Sequence, residues 1–285
     1  MKGQAKEPAT LYLVATPLGN LEDLSFRALR VFREVAWIAA EDTRTSAKLM
    51  DSQGISASLI SFHEHSGAGR IEALVGRLIA GESGAYISDA GTPGICDPGA
   101  PLVRAAAEAG IRVVPVPGAS APVALLSVSG FDGSQFTFRG FFPRERADRK
   151  AWAESAEASG GLQVFFESPH RIKDCLEFLG ERFPAVPLVL GRELTKKFET
   201  IHRGTCQEVA ARLNLEEPRG EYVLAMNLAA PDPRPTGLRE PELAALMEEL
   251  AALGAGQKIL LRVGLSHGAT KNTAYAMALK ALGKN

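Results

Sequence analysis

Five short, almost wholly apolar runs dominate the first 120 residues, at positions 11–15, 37–40, 59–62, 85–87 and 111–116. Strands buried on both faces need such unbroken apolar runs, whereas a half-exposed strand would alternate. Between them, apolar residues recur at spacings of three and four, as in Leu21, Leu24, Ala28, Val31, Phe32 and again in Ile71, Leu74, Val75, Leu78, which is the period of a helix with one buried face. Asn20 is placed to cap the first of these helices, with Asp23 in its first turn. Regular strand–helix alternation predicts a mostly parallel sheet covered on both sides. The polar and glycine-rich residues gather just after the strands, at 16–20, 41–46, 63–66, 89–98 and 117–120. In a parallel sheet those loops share the carboxyl edge, where such folds bind ligands.

The fourth loop is the densest. Asp89, Gly91, Thr92, Pro93, Gly94, Asp97, Pro98 and Gly99 follow the apolar run 85–87 and precede an alanine-rich helix. Glycine permits close backbone approach and positive φ, and proline stiffens the remainder. From Gly130 the pattern changes to shorter, mixed elements. Strands are expected at 136–141, 162–166, 188–190, 198–203 and 222–228, and helices at 147–158 and 172–183. A Thr205–Glu208 capping box opens another helix. This half reads as a second α/β domain with antiparallel members. A proline-rich linker spans 230–241, and residues 242–285 form a small helical appendix. Its size resembles a helix-turn-helix; a packing tail or dimer contact is the competing reading. The expected organisation is thus a polar tail (1–10), two α/β domains (11–119 and 120–229), the linker and the appendix.

Absences narrow the chemistry. The net charge of −1 carries no global nucleic-acid signal, so any RNA-binding face must be local and no DNA partner is expected. Three widely spaced cysteines, Cys96, Cys175 and Cys206, argue against a disulfide scaffold or zinc site and for a reducing, cytoplasmic setting. No apolar stretch reaches membrane-spanning length. There is no phosphate-binding P-loop, no G-x-G-x-x-G after the first strand and no G-x-S-x-G elbow. His63, Glu64 and His65 lack a third ligand at metal-binding spacing, so no metal is expected.

Eight motifs occur in order: Thr16-Pro17-Leu18-Gly19-Asn20, Glu41-Asp42-Thr43-Arg44, Phe62-His63-Glu64-His65, Asp89-Ala90-Gly91-Thr92-Pro93-Gly94, Pro117-Gly118-Ala119-Ser120, Phe141-Phe142-Pro143-Arg144, Phe166-Glu167-Ser168-Pro169-His170-Arg171 and Gly191-Arg192-Glu193-Leu194-Thr195-Lys196. Together they resemble the ribosomal RNA small subunit methyltransferase I family, the 16S rRNA cytidine 2′-O-methyltransferases of the tetrapyrrole methylase superfamily. The resemblance runs from about Leu11 to Leu228. It implies a two-domain α/β methyltransferase of the non-Rossmann type, typically homodimeric. It also implies S-adenosylmethionine as cofactor and 16S rRNA of the small ribosomal subunit as substrate. Its cofactor contacts would fall on Pro17, Leu18, Asp89, Gly91, Thr92, Ala119, Ser120, Phe166, Ser168, Leu224 and Ala225.

A ribose hydroxyl is a poor nucleophile and gains from a nearby base. Glu41 and Asp42, with His63 and Glu64 behind them, are the catalytic candidates. RNA would be met by local cations: Arg44, by Arg139, Arg144, Arg146, Arg149 and Lys150, by Lys196, Lys197, His202 and Arg203, and by Lys271 in the tail. Phe141 or Phe142 could stack a splayed base. Two other readings compete. One is a tetrapyrrole C-methyltransferase of the same fold, against which the first loop lacks that branch's glycine-rich G-x-G-P-G-D. The other is a ribosome-assembly factor that binds cofactor and RNA without turnover.

Overall fold

A computed structural model of the chain describes residues 9–212, 220–229, 240–267 and 269–283. These fall into two compact units, residues 1–156 with 161–228, and residues 229–285 with 157–160. The expected linker lies largely outside the described residues, which omit 230–239.

The first unit contains two five-stranded sheets. In the first, β1 (Thr10–Val14), β2 (Trp37–Ala40), β3 (Leu59–Ser61), β4 (Gly84–Ile87) and β5 (Arg112–Val116) pair in the order β3-β2-β4-β1-β5, every pair parallel. Strand parity sorts the apolar runs between two cores. Ile38, Ala40, Ala85 and Ile87 face α1 (Phe26–Glu34) and α2 (Thr43–Ser52). Trp37, Ala39 and Tyr86 face α3 (Ala68–Ile79) and α4 (Gly99–Glu108). Gly84 lies opposite Trp37 across β4 and β2, where a Cβ would stand 2.2 Å from the indole ring, so glycine is what lets this Trp lie inside the layer.

Two details depart from the sequence expectation. Asn20 caps only a single 3₁₀ turn (Leu21–Asp23); α1 begins later, with the Ser25 hydroxyl accepting the Ala28 N–H. Leu21 is accordingly exposed. The stretch 43–46, read as loop, is the start of α2, whose Asp42 cap accepts the Arg44 N–H at 2.8 Å.

The chain changes sheets after β5. Helix α5 (Ala121–Ser129) already packs on the second sheet, through Leu125 and Leu126 against Val164, Val189 and Val223. The second sheet orders β6 (Phe136–Phe141), β7 (Gly161–Glu167), β10 (Tyr222–Leu228), β8 (Pro187–Arg192) and β9 (Thr200–Thr205). β6 and β7 are parallel, and the other pairs are antiparallel. Its other face is covered by α6 (Arg146–Ser159), α7 (Ile172–Arg182) and α8 (Cys206–Arg212), around Phe142, Phe165, Leu190 and Leu224. The capping box forms reciprocally at α8: Thr205 N–H donates to Glu208 Oε2 at 2.9 Å, and Glu208 N–H to Thr205 Oγ1 at 3.2 Å.

The second unit holds α9 (Glu240–Ala252), α10 (Gln257–Ser266) and α11 (Lys271–Ala281) around Leu243, Met247, Leu260 and Ala278. Gly264 lets α10 approach Ala274 of α11. No helix among the described residues is long and apolar enough to cross a membrane.

Candidate functional site

The carboxyl ends of β1, β2 and β4 and the corresponding end of the second sheet enclose a cavity of about 370 Å³. Leu18, Glu41, Asp89, Ile95, Cys96 and Asp97 line it from the first sheet's loops. Phe141, Phe166, Glu167, Ser168, Leu194, Glu221, Tyr222 and Val223 line it from the second.

Backbone chemistry holds the loops in register. Thr16 and Gly91 exchange two hydrogen bonds, of 2.9 and 3.0 Å. Gly91 sits at φ 78°, a backbone conformation that favours glycine, and the Leu18 side chain lies 3.2 Å from where a Cβ would stand, which leaves little room for one. Thr92 Oγ1 donates to the Ala119 carbonyl at 3.0 Å. Asp97 organises the fourth loop: it accepts the Gly94 N–H at 2.6 Å, the Gly99 N–H at 2.8 Å and the Tyr86 hydroxyl at 2.9 Å. Among the described residues three non-glycine positions have positive φ, Cys96, Glu193 and Thr195, and all three border this cavity or flank its Leu194 wall. Such conformations concentrate at functional sites.

Glu41 leaves β2 directly into the cavity. Its pKa is raised, first by burial and then by the negative charges of Asp89 and Asp97. Asp42 differs. It accepts Arg44 Nε at 3.1 Å and Nη2 at 2.7 Å, and this pairing holds its pKa down to about 2. Asp42 is therefore engaged as a cap and ion-pair partner, and its own N–H donates to Asp89 Oδ1 at 3.0 Å. Asp89 in this way ties the β4 loop to the β2 loop. His63 and Glu64 are exposed and do not line this cavity. His63 lines a neighbouring one with Ser61, His65, Ser66 and Arg70.

Of the expected cofactor residues, Leu18, Asp89, Phe166 and Ser168 line the cavity. Gly91, Thr92 and Ala119 instead interlock the loops behind it, Pro17 follows the Thr16–Gly91 bridge, and Ser120 is the cap residue of α5. Leu224 and Ala225 are fully buried, in the cores on the two faces of the second sheet. β10 reaches the cavity two residues earlier, with Tyr222 and Val223. Ile95, Cys96 and Asp97 also line the cavity from the dense fourth loop, and Leu194 from the Gly191–Lys196 motif, although none of the four is among the expected site residues; Glu221 and Tyr222 carry no local pattern, because they reach the cavity only through the strand pairing of the second sheet.

The basic residues divide by orientation. Arg144, Arg146 and Lys197 are exposed, and Lys197 lies 5.6 Å over the exposed Phe198 ring. Arg44 is also exposed but paired with Asp42. Arg139 turns inward to Gln163 and Ser155 and lies over Trp152. Arg149 donates to the Pro143 carbonyl at 3.1 Å and covers Phe142. Lys196 bridges Glu193 and Glu221 at 2.9 and 3.2 Å, its stem packed on Gly19, and Lys150 pairs with Glu154. Arg203 donates to the Val128 carbonyl, and His202 is partly buried with its pKa lowered. Phe142 is core; Phe141 is half exposed and packs edge-on against Phe166, centroids 5.5 Å apart. Lys271 opens α11 in the second unit.

Known proteins carry the same plan. The model of the Tetrapyrrole (Corrin/Porphyrin) Methylases matches residues 10–210. A protein of Neisseria meningitidis serogroup B called ribosomal RNA small subunit methyltransferase I is 43% identical over 95% of this chain and 93% of its own. One of the same name from Halalkalibacterium halodurans is 38% identical over 95% of both. Uroporphyrin-III-C-methyltransferase from Thermus thermophilus superposes with a TM-score of 0.54 at 21% identity, over 77% of this chain and 94% of that one, a likeness of fold. The chain belongs to the tetrapyrrole methylase family and, within it, to the ribosomal RNA small subunit methyltransferase I proteins.

Proposed function

We propose that this chain transfers a methyl group from S-adenosylmethionine to the ribose 2′-oxygen of a cytidine in 16S rRNA of the small ribosomal subunit. One observation carries most weight: every charged side chain lining the cavity is a carboxylate (Glu41, Asp89, Asp97, Glu167, Glu221), while Leu18, Ile95, Phe141, Phe166, Leu194 and Val223 supply apolar and aromatic wall. A ligand with a sulfonium, an ammonium and a flat base fits that lining, whereas a polyanion does not. S-Adenosylmethionine is the cofactor of this methyltransferase; when bound, it supplies an electrophilic methyl group on a positively charged sulfur. Leu18, Asp89, Phe166 and Ser168, which line the cavity, would hold it.

The residues of the chain then have separable tasks. Glu41, kept basic by burial and by the charges of Asp89 and Asp97, takes the proton of the attacking hydroxyl. Asp89, fixed by the Asp42 N–H, keeps that charge beside Glu41. The interlocked loops hold the reacting groups in one geometry, and positioning supplies much of the acceleration of an in-line displacement. Exposed Arg144, Arg146 and Lys197, with the half-exposed Phe141, meet the RNA.

The test is single-turnover methyl transfer to unmethylated small subunits as a function of pH. A base must be unprotonated to act, so the wild-type rate is expected to rise with pH through a pKa higher than that of an ordinary glutamate. Glu41→Gln is expected to lower the rate by about 10²–10⁴-fold and abolish that acid limb, with cofactor affinity within a few-fold of wild type. An unchanged rate in Glu41→Gln removes Glu41 from this role, and no transfer to RNA by the wild type overturns the function.

A further inference from the structure

A second cavity, of about 560 Å³, opens beyond β3 and is lined by Ser61, His63, His65, Ser66 and Arg70 with the glycines between them. Its chemistry is the reverse of the first. No carboxylate lines it, and its functional groups are hydroxyls, imidazoles and a guanidinium. Several of the arginines expected to meet RNA are engaged with the protein itself, as Arg44, Arg139 and Arg149 are. Among the described residues, by contrast, neither the Arg70 guanidinium nor the His63 and His65 rings have a hydrogen-bond or ion-pair partner; the two rings lie 6.2 Å apart, inclined at 67°. The mouth is open, since a Cβ added at Gly67 or Gly69 would meet nothing within 4 Å.

Position supplies the second argument. β3 runs parallel to β2 with Ser61 beside Ala40, and Phe62 N–H donates to the Ala40 carbonyl at 2.8 Å. Glu41 and His63 therefore leave neighbouring strands at the same edge, one or two residues past that pair. A group at Glu41 and a group at His63 can belong to one nucleotide and its flanking phosphate.

We propose that the His63–His65–Arg70 cavity seats an RNA backbone phosphate flanking the methylated nucleotide. The assignment rests on the rRNA reading above, and it gives His63 a binding task. Phosphate contacts fix register without reading sequence, which is what an enzyme needs when its nucleophile is a ribose oxygen common to every nucleotide.

The test compares wild type, the triple variant His63→Gln/His65→Gln/Arg70→Gln and Arg70→Lys, with unmethylated small subunits as substrate over a range of salt. The triple variant is expected to raise KM for the subunit about ten-fold or more while kcat and cofactor affinity stay within two-fold. Its dependence of log affinity on log salt should be flatter by about 0.7–0.9 for the lost phosphate contact. Arg70→Lys, which keeps the charge, should retain the wild-type slope. An unchanged KM and slope, or a loss confined to kcat, overturns the proposal. Equilibrium binding of subunits is measured alongside turnover: a wild type that binds with a pocket-dependent salt slope yet transfers no methyl sinks the catalytic reading and leaves the phosphate site standing.

Discussion

Asp97 joins three parts of the structure through one carboxylate, and its loss should be costly. Its carboxylate takes three donors, the N–H groups of Gly94 and Gly99 and the hydroxyl of Tyr86. Gly94 is half-buried and can turn to water, but Gly99 is buried and Tyr86 is 0% exposed. Asp97→Ala thus strands two buried donors, each costing about 1–3 kcal/mol. The expected destabilisation is about 3–4 kcal/mol, read as a lower urea midpoint at unchanged slope. Asp97→Asn keeps one acceptor oxygen and should lose about half as much. The attribution has an internal check. In Tyr86→Phe/Asp97→Ala one stranded donor is gone, so the double variant should be more stable than the sum of the singles predicts by about 1–2 kcal/mol. A loss below about 1 kcal/mol for Asp97→Ala, or strict additivity with Tyr86→Phe, would refute the reasoning.

Two further predictions concern stability. Gly84→Ala sets a methyl 2.2 Å from the fully buried Trp37 ring and should cost about 3 kcal/mol by denaturant unfolding; a cost under about 1 kcal/mol would show that the layer repacks. Asp42 has a folded pKa of about 2, below its usual 3.8, so its contribution is complete above the usual value and is lost as pH falls through the folded one. The difference in Tm between wild type and Asp42→Ala should therefore be constant near neutrality and shrink below about pH 4, and a difference that widens on acidification would contradict the sign.

Periodicity located strands well where both faces are buried. Residues 37–40 and 222–228, read as strands from their apolar runs, are β2 and β10. The order β3-β2-β4-β1-β5 was not legible, since nothing in an apolar run names its neighbour. α2 is hard to see in the sequence for a specific reason: its fully buried residues are Ser46 and Met50, with only Leu49 packed beside them, too little apolar surface to make a period. Asn20 and Ser25 are equally good caps in sequence, and only packing, which leaves Leu21 outside and buries Leu24, decides between them. The carboxyl-edge loops of the first sheet supply one wall of the candidate cavity, but its far wall depends on where β10 begins against β7. A shift of two residues along β10 separates Tyr222 and Val223 on the wall from Leu224 and Ala225 in the cores. Arginine clusters were the least legible, because sequence does not show whether a guanidinium turns out, as at Arg144, or in, as at Arg139.

The most direct measurement of the central claim is the identity of the methylated product. Purified protein and labelled S-adenosylmethionine are incubated in parallel with unmethylated small ribosomal subunits, naked 16S rRNA and uroporphyrinogen, and the RNA is digested to nucleosides. The account predicts label in 2′-O-methylcytidine from the subunits and none in the tetrapyrrole. Label in the tetrapyrrole alone, or on a base instead of a ribose, would contradict it.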